Sequence, residues 1–187
     1  IEFTWSVWLY IKDIKPEGQV KHIFHKGNSG ITNNSEHEHV QDGMNFPNNG
    51  PGMYIDSGKN ALIVVMNTFD NIMEEIRIDN IPMNKWINIM IRCEGKTVDV
   101  YINGAIAKRH VLTNVPKQNY GNIYINANGG FNGNLSDLRY FDKSLGLSKI
   151  QSIVEKGANL KVGKKDEIET NKPPYLSLRW YLMGTNK

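Results

Sequence analysis

Hydrophobic and polar residues alternate with a period of two along most of this chain, and this alternation restricts the fold more than any other feature of the sequence. The clearest case is Trp86–Gly104, where Gly95-Lys96 predicts a two-residue hairpin turn. The turn places three apolar pairs on one face: Cys93 with Val98, Ile91 with Val100, and Ile89 with Ile102. Asn103-Gly104 predicts a second turn and a third strand through Val111. We therefore expect an antiparallel meander here.

The rest of the chain adds enough short strands for a layered all-β fold. Phe3–Ile11 has apolar residues on both faces, as expected of a central strand. Further strands are predicted at Val20–Lys26, Met53–Ser57, Ala61–Thr68, Ile72–Asp79, Gly121–Ala127 and Leu135–Asp142. One helix is predicted, with Leu147, Ile150, Ile153 and Val154 at helical spacing before Gly157. This inventory predicts an all-β sandwich.

Composition argues against several classes of function. The formal net charge of +3 is spread over 187 residues, and the dense basic run Lys161–Lys165 is followed by acidic residues, so nucleic acid is not an expected partner. No apolar run approaches the roughly 18 residues of a membrane span. The single cysteine, Cys93, is expected to be a buried hydrophobic residue and not a nucleophile. The first residue is not Met, which suggests a segment of a longer protein.

Two stretches depart from the strand pattern. Residues 28–52 form a long polar loop with the runs NNSEHEHVQDG and PNNGPG, and such loops are usually functional or disordered. Residues 158–187 are predicted to be an extended tail after a domain of residues 1–157. A last strand is predicted over Tyr175–Leu182, because apolar and polar residues alternate there. Both stretches are candidates for assembly contacts.

Three blocks of the sequence follow one another in a characteristic order. They are FTWSVWLYIKD (Phe3–Asp13), KWINIMIRCEGKTVDVYINGAIAKR (Lys85–Arg109) and GFNGNLSDLRYFDKSLGLSKIQSIVEKG (Gly130–Gly157). The matching positions are Phe3, Thr4, Trp8, Trp86, Asn103, Gly104, Gly133, Leu135, Asp137, Leu138, Arg139 and Tyr140. Over about residues 1–157 the chain thereby resembles laminin-G-like domains of the concanavalin A-like lectin/glucanase superfamily. The resemblance implies a two-sheet antiparallel jelly-roll sandwich.

The third block is expected to be mainly architectural. Leu135 and the apolar residues after it should enter the core, while Asp137 and Arg139 form hydrogen bonds or an ion pair. The helix should pack its stripe of Leu147, Ile150 and Val154 over one end of the sandwich. Family members usually have an additional strand before the first block, where this sequence has almost nothing. We expect the tail strand to take that sheet position or to pair with a neighbouring chain.

Some members of the superfamily are glycoside hydrolases, which need two carboxylates roughly 5 to 9 Å apart. The nearest arrangement here is EEIRID, where Glu75, Arg77 and Asp79 share one strand face. At about 3.3 Å per residue, Glu75 and Asp79 are about 13 Å apart, which is too far. We expect a surface ion-pair ladder, no catalytic residues and a protein that is not an enzyme.

The histidines give only a weak indication of a metal site. His22 and His25 are three residues apart on a predicted strand and are therefore expected on opposite faces. His37 and His39, with Asp42 nearby, could hold zinc or nickel. Solvated loop histidines are the favoured interpretation, because the spacing marks no fourth ligand.

A sugar site would need exposed aromatic rings beside amides and carboxylates. The outer face of the Trp86–Gly104 hairpin carries Asn88, Arg92, Asp99 and Tyr101, and we expect it to be solvated or to line a groove. The predicted ligand-binding residues are Tyr54, Asn88, Asp99, Tyr101 and Tyr124, with Trp8 and Tyr120 as further aromatic candidates. Each aromatic residue could equally be a half-buried sandwich residue.

Calcium is the cofactor that the resemblance implies. Its candidate ligands are Asp56, Asn60, Asn126, Asn128 and Asn132. Turn formation is the favoured role of these residues, because a calcium site usually has more carboxylates.

These observations predict a non-catalytic recognition module that is carbohydrate-binding or adhesive and belongs to a larger or secreted protein. Its expected partner is a glycan or another protein, and its expected location is extracellular, at a cell surface or on a virion. The alternative is a structural protein that uses the sandwich for protein–protein contacts, for example a virion surface or capsid-associated component.

Overall fold

The computed structural model describes residues 1–14, 19–32, 40–56 and 58–161. The strands are β1 (Glu2–Ile11), β2 (Val20–Gly27), β3 (Gly52–Asp56), β4 (Ala61–Met66), β5 (Glu74–Asp79), β6 (Trp86–Glu94), β7 (Thr97–Ile102), β8 (Ala105–Val111), β9 (Asn122–Ile125) and β10 (Gly133–Phe141), and the helix is α1 (Leu147–Lys156). The all-β prediction is confirmed. The predicted tail strand Tyr175–Leu182 lies outside the described residues.

The strands form two antiparallel sheets of five. Sheet 1 has the order β10-β1-β6-β7-β8, and sheet 2 has the order β5-β4-β3-β2-β9. The predicted hairpin register is confirmed, because Cys93 pairs with Val98, Ile91 with Val100 and Ile89 with Ile102. At the second turn, Asn103 and Gly104 have φ values of 51° and 81°. Such a two-residue hairpin turn requires positive φ at both positions.

The main core lies between the inner faces of the two sheets. Trp5 of sheet 1 packs against Phe24 of sheet 2, with 5.3 Å between ring centroids. Val7, Leu9 and their neighbours on the same face are almost completely buried, and each such side chain contributes about 1.5–3 kcal/mol. Cys93 belongs to this core, and burial raises the pKa of its thiol to about 11.

The outer faces of both sheets are also covered. On sheet 1, Ile150 and Ile153 of α1 pack with Met90 and Tyr101. On sheet 2, Val40 and Met44 from the long loop pack with Tyr54, Ile63 and Val65. Part of the 28–52 loop is therefore structural.

The two lateral sides of the sandwich differ. On one side β5 contacts β8, and the Glu74 carboxylate lies 2.9 Å from His110 Nε2 and accepts a hydrogen bond from the Thr113 backbone N–H at 3.0 Å. On the other side β9 and β10 are the outermost strands, and neither has a buried residue. Among the described residues, no helix has the length and apolar character needed to cross a membrane.

Candidate ligand-binding site

Residues 116–121, which lie between β8 and β9, are fixed to sheet 2 by hydrogen bonds. Lys117 N donates to Asn67 O at 2.8 Å, just after β4. Asn119 Nδ2 donates to Lys26 O at 3.0 Å, and Lys26 Nζ donates to Gly121 O at 2.5 Å. The segment is therefore held in a defined conformation although it contains no regular secondary structure.

Two glycines allow three parts of the chain to meet beside this segment. A Cβ at Gly121 would lie 2.2 Å from Gly27 O, and a Cβ at Gly27 would lie 2.0 Å from Asn48 O. Neither position has room for a side chain. Residues 27, 48 and 121 therefore come into contact although they are distant in sequence.

A depression of about 490 Å³ opens at this meeting point, a volume typical of ligand sites. Most of its lining side chains are amides: Asn28, Asn48, Asn67, Gln118, Asn119 and Asn122. The other lining residues are Gly27, Lys117, Tyr120 and Gly121, so this described wall contains no carboxylate. The depression can offer both donors and acceptors to a polar ligand.

Some of these amides build the frame and others remain available. Asn67 donates from Nδ2 to Pro47 O, and Asn119 Oδ1 accepts from Gly121 N at 2.7 Å. Within the described chain, the side chains of Asn48, Gln118 and Asn122 make no hydrogen bond. The available amides can therefore bind hydroxyl groups without breaking the frame.

Tyr120 stands at the rim of the depression and is 86% exposed. Tyr120 also lines a second depression of about 380 Å³, whose other lining residues include Trp5 and Tyr140. An exposed ring that lines two depressions presents a flat apolar surface and a hydroxyl group to a ligand.

A pair of buried histidines supports the wall of the first depression. The prediction that His22 and His25 lie on opposite faces is wrong, because the β2–β3 register shifts between His22 and Phe24. A bulge adds one residue to one strand and so reverses the alternation. The two imidazoles contact each other, with His22 Nε2 2.6 Å from His25 Nδ1.

Their hydrogen bonds define one consistent arrangement of protons. Ala127 N donates to His22 Nδ1 at 3.0 Å, so His22 donates from Nε2 to His25, and His25 Nε2 donates to Asn28 O at 2.8 Å. Burial, with repulsion from His25, lowers the pKa of His22 to about 3. Burial also lowers the pKa of His25. The pair is therefore neutral at neutral pH and connects the end of β9 to Asn28.

Tyr54, a predicted ligand-binding residue, is completely buried. Its hydroxyl donates to Asn49 Oδ1 at 2.5 Å and accepts from Asn45 N at 3.1 Å. The ring is therefore not available for stacking on a ligand, and Tyr54 instead holds the long loop against sheet 2.

The predicted residues on the outer face of sheet 1 are also buried, so the expectation of a solvated or groove-lining face is wrong. Asn88 is fully buried and donates from Nδ2 to Ser6 Oγ at 3.2 Å. Asp99 accepts two hydrogen bonds from Arg109, at 2.6 and 2.9 Å. Tyr101 lies beneath α1, and Trp8 is only 6% exposed. These residues are buried because α1 and Leu145 pack over this face of sheet 1. The alternation of residues along a strand does not show which face another element will cover.

Among the predicted ligand-binding residues, Tyr124 is the nearest in sequence to a residue that lines the depression. It belongs to β9, two positions after Asn122, and its ring stacks on His25 with centroids 5.0 Å apart. Tyr124 therefore supports the histidine pair and is not among the lining residues of the depression.

The predicted calcium ligands fit a cation poorly. Asp56 forms an ion pair with Arg77, and its Oδ1 accepts from Gly58 N at 2.9 Å. The Arg77 cation beside this carboxylate opposes a second cation. Arg77 Nε also lies 3.6 Å from Asp79 Oδ1, so the structure shows the Arg77–Asp79 pair of the predicted ladder, and no ion pair of Glu75 is present among the described residues.

The asparagines of this set have backbone roles. Asn60, Asn126 and Asn128 have φ values of 45°, 50° and 50°, which are turn conformations that asparagine tolerates. Asn132 O accepts from Lys12 N at 2.9 Å. The described residues contain no cluster of three or more His, Cys, Asp or Glu side chains suited to a metal. His37 and His39 lie outside the described residues.

The residues that line the depression were missed because they come from four separate segments. The sequence offered two indications: the Asn48-Asn49 pair in the PNNGPG run and the aromatic candidate Tyr120. Neither indicates that Asn28, Asn67 and residues 117–122 meet in space.

Comparisons with known proteins agree with the fold. A family model described as the concanavalin A-like lectin/glucanases superfamily matches residues 2–151. The botulinum neurotoxin serotype G binding domain is 15% identical with a TM-score of 0.59, covering 83% of this chain and 36% of that one. The botulinum neurotoxin DC binding domain in complex with rat synaptotagmin II is 16% identical with a TM-score of 0.58, covering 83% and 35%.

The receptor binding domain of botulinum neurotoxin D is 15% identical, with a TM-score of 0.58, and the match covers 83% of this chain and 37% of that one. At these identities the likeness shows the fold alone. The chain spans little more than a third of the length of these domains. No curated protein matches the chain significantly.

Proposed function

The chain belongs to the concanavalin A-like lectin/glucanases superfamily, as the match over residues 2–151 shows, and we propose that it is a non-catalytic recognition module that binds a glycan in the amide-rich depression. One observation carries the proposal: Tyr120, 86% exposed, stands beside the available amides of Asn48, Gln118 and Asn122. Sugar hydroxyls need such donors and acceptors, and the apolar face of a pyranose can stack on a tyrosine ring.

The lining of the depression supports binding without turnover. Glycoside hydrolysis needs two carboxylates that flank the bond to be cleaved. The lining residues are amides, glycines, Lys117 and Tyr120. In the EEIRID stretch, Arg77 lies between Glu75 and Asp79 and forms ion pairs with Asp56 and Asp79.

We place this module in a larger or secreted protein, at a cell surface, on a virion or elsewhere outside the cell, because surface glycans are found there. Calcium stays a separate proposal. The mechanism of binding proposed here does not use it, since Asp56 is already paired with Arg77.

The alternative function, a structural building block for protein–protein contacts, is favoured by one observation. The edge strand β8 exposes Ile106 (48%) and Val111 (66%). Exposed edge strands can pair with other chains. Lys108 and Arg109 lie between these two residues, and charged side chains at an edge oppose such pairing.

The test is a glycan array probed with the chain and two substituted forms, followed by titration of the best glycan. We expect Tyr120→Ala to weaken binding about tenfold through loss of stacking, and Gln118→Ala to weaken it about threefold to tenfold through loss of a hydrogen bond. Ile106→Ala, an exposed apolar residue on β8, is the control and should bind like the unsubstituted chain.

Two results would count against the glycan proposal: no array signal, or unchanged affinity in the Tyr120→Ala form. An absent signal together with concentration-dependent self-association would favour the structural alternative. A chelator in a parallel titration tests calcium, and binding should persist in its presence.

A further inference from the structure

The side of the sandwich formed by β9 and β10 exposes residues that point toward the core. We call this set the open-side patch: Ile123, Ile125, Leu135, Leu138 and Tyr140. Ile123, Ile125 and Tyr140 are 46%, 47% and 55% exposed. Leu135 and Leu138 are half-buried and pack against the main core.

The strand pairings show that this patch continues the core. Tyr140 pairs with Trp5, and their ring centroids are 4.9 Å apart. Ile125 pairs with Phe24, which itself packs against Trp5. Because partners across a ladder share a face, Tyr140 and Ile125 face the space between the sheets. The opposite side, where β5 contacts β8, is closed by the hydrogen bonds of Glu74.

The outer edge of β10 can accept another strand. β10 has nine residues and stands at the end of sheet 1, whereas β9 at the corresponding end of sheet 2 has only four. An edge strand presents a row of backbone N–H and C=O groups that can pair with an added strand.

The end of the described chain lies beside β10. After α1 the chain returns to this strand, where Ser136 Oγ donates to Asn159 O at 2.7 Å. Residues 156–161 also line a depression together with Asp137 and Arg139 of β10. Residues 162–174 can span up to about 40 Å when extended, so the next segment can reach any part of the β10 edge.

That next segment has the pattern of a strand with one apolar face. Leu176, Leu178, Trp180 and Leu182 alternate with Ser177, Arg179 and Tyr181. One face therefore matches the apolar patch, and the other is suited to solvent.

We propose that Tyr175–Leu182 pairs with the outer edge of β10 in the same molecule and covers the open-side patch with its apolar face. The occupant of this side is then the chain's own tail, which would bury the exposed parts of Ile125 and Tyr140. This inference concerns the fold and does not depend on glycan binding.

Hydrogen exchange of the full chain tests the pairing with two neighbouring substitutions. Leu178→Asp places a charge on the face that should contact the patch, and Ser177→Asp places the same charge on the outer face. We expect amides of β10 to exchange about tenfold faster in the Leu178→Asp form. In the Ser177→Asp form they should exchange as in the unsubstituted chain.

Equal exchange of β10 in all three forms would overturn the proposal. The central strand β6 serves as an internal check of folding and should keep slow exchange in every form.

A photo-crosslinking residue, p-benzoylphenylalanine, in place of Ile125 gives an independent measurement. We expect a crosslink to residues 175–182 within one molecule. A crosslinked dimer would instead show that a second chain covers the patch. If Ile125 crosslinked neither to the tail of its own molecule nor to a second chain, the tail would not lie on the patch. Either result would overturn the proposal.

Discussion

At the scale of single residues, the His22–His25 pair shows how burial determines a protonation state. The two rings form a chain of hydrogen bonds from Ala127 N to Asn28 O that needs both imidazoles neutral. Protonation of His22 would place a second N–H against the Ala127 N–H. This chain supports the depression, because Asn28 is one of its walls.

Because His22 must stay neutral, lowering the pH should destabilise the protein already at pH values above those at which carboxylates titrate. The pKa of His22 falls from an ordinary value near 6.5 to about 3 in the folded state, so the unfolded chain binds the proton more strongly. The stabilisation is complete above about pH 6.5 and is lost as the pH falls toward 3. From pH 7 to pH 5, we expect His22 to lower the free energy of unfolding by about 2 kcal/mol.

Urea denaturation at these two pH values measures the change. A His22→Gln form removes the titrating group and should show a smaller decrease than the unsubstituted chain. An equal decrease in both forms would contradict this assignment.

At the scale of secondary-structure elements, α1 is held to sheet 1 by fewer positions than its sequence suggested. The predicted stripe of Leu147, Ile150 and Val154 is wrong at Leu147, which is 63% exposed. Ile150 and Ile153 are buried instead, and Val154 is partly buried. Leu147 is the first residue of the helix, and Leu145, two residues earlier, is the residue that packs with Met90 and Tyr101.

Two alanine substitutions in α1 should therefore differ strongly. Ile150→Ala removes a completely buried side chain and should destabilise the fold by about 2–5 kcal/mol. Leu147→Ala should change stability by less than about 0.5 kcal/mol, since surface substitutions usually have small effects. Thermal or urea denaturation distinguishes the two, and similar losses for both would mean that α1 packs differently.

At the scale of the whole molecule, the sandwich is closed on one side by a buried carboxylate. Glu74 of β5 in sheet 2 contacts His110, near the end of β8 in sheet 1, and Thr113, two residues after β8. Burial alone would raise the pKa of Glu74, but hydrogen bonds from His110 and Thr113 outweigh it and lower the pKa. The ionised carboxylate therefore links the two sheets.

Removing this carboxylate should weaken the contact between the sheets. We expect Glu74→Ala to lower the free energy of unfolding by about 1–3 kcal/mol, because the Thr113 backbone N–H loses its acceptor. Glu75→Ala is the matched control, since the pKa of the adjacent Glu75 is raised by burial, so ionised Glu75 contributes no comparable stabilisation. Denaturation at neutral pH measures both, and an equal loss in the two forms would show that Glu74 has no special role.

Period-two alternation and turn residues were sufficient to predict the strands and the hairpin register. The Cys93–Val98 pair and the Asn103-Gly104 turn lie where local sequence placed them, since apolar pairing and positive φ are encoded by neighbouring residues. The local pattern also predicted that Cys93 is a buried hydrophobic residue, and Cys93 is fully buried.

Only the tertiary structure decided which faces meet solvent and where a ligand could bind. Asn88 and Tyr101 looked like surface residues, but α1 and its flanking residues cover their side of sheet 1. One bulge after His22 brought two histidines together, against the strict alternation. The amide-rich depression needs Asn28, Asn48 and Asn67 to meet residues 117–122. Such contacts depend on how sheets and loops that are distant in sequence pack together. The alternation of neighbouring residues along the chain does not determine that packing.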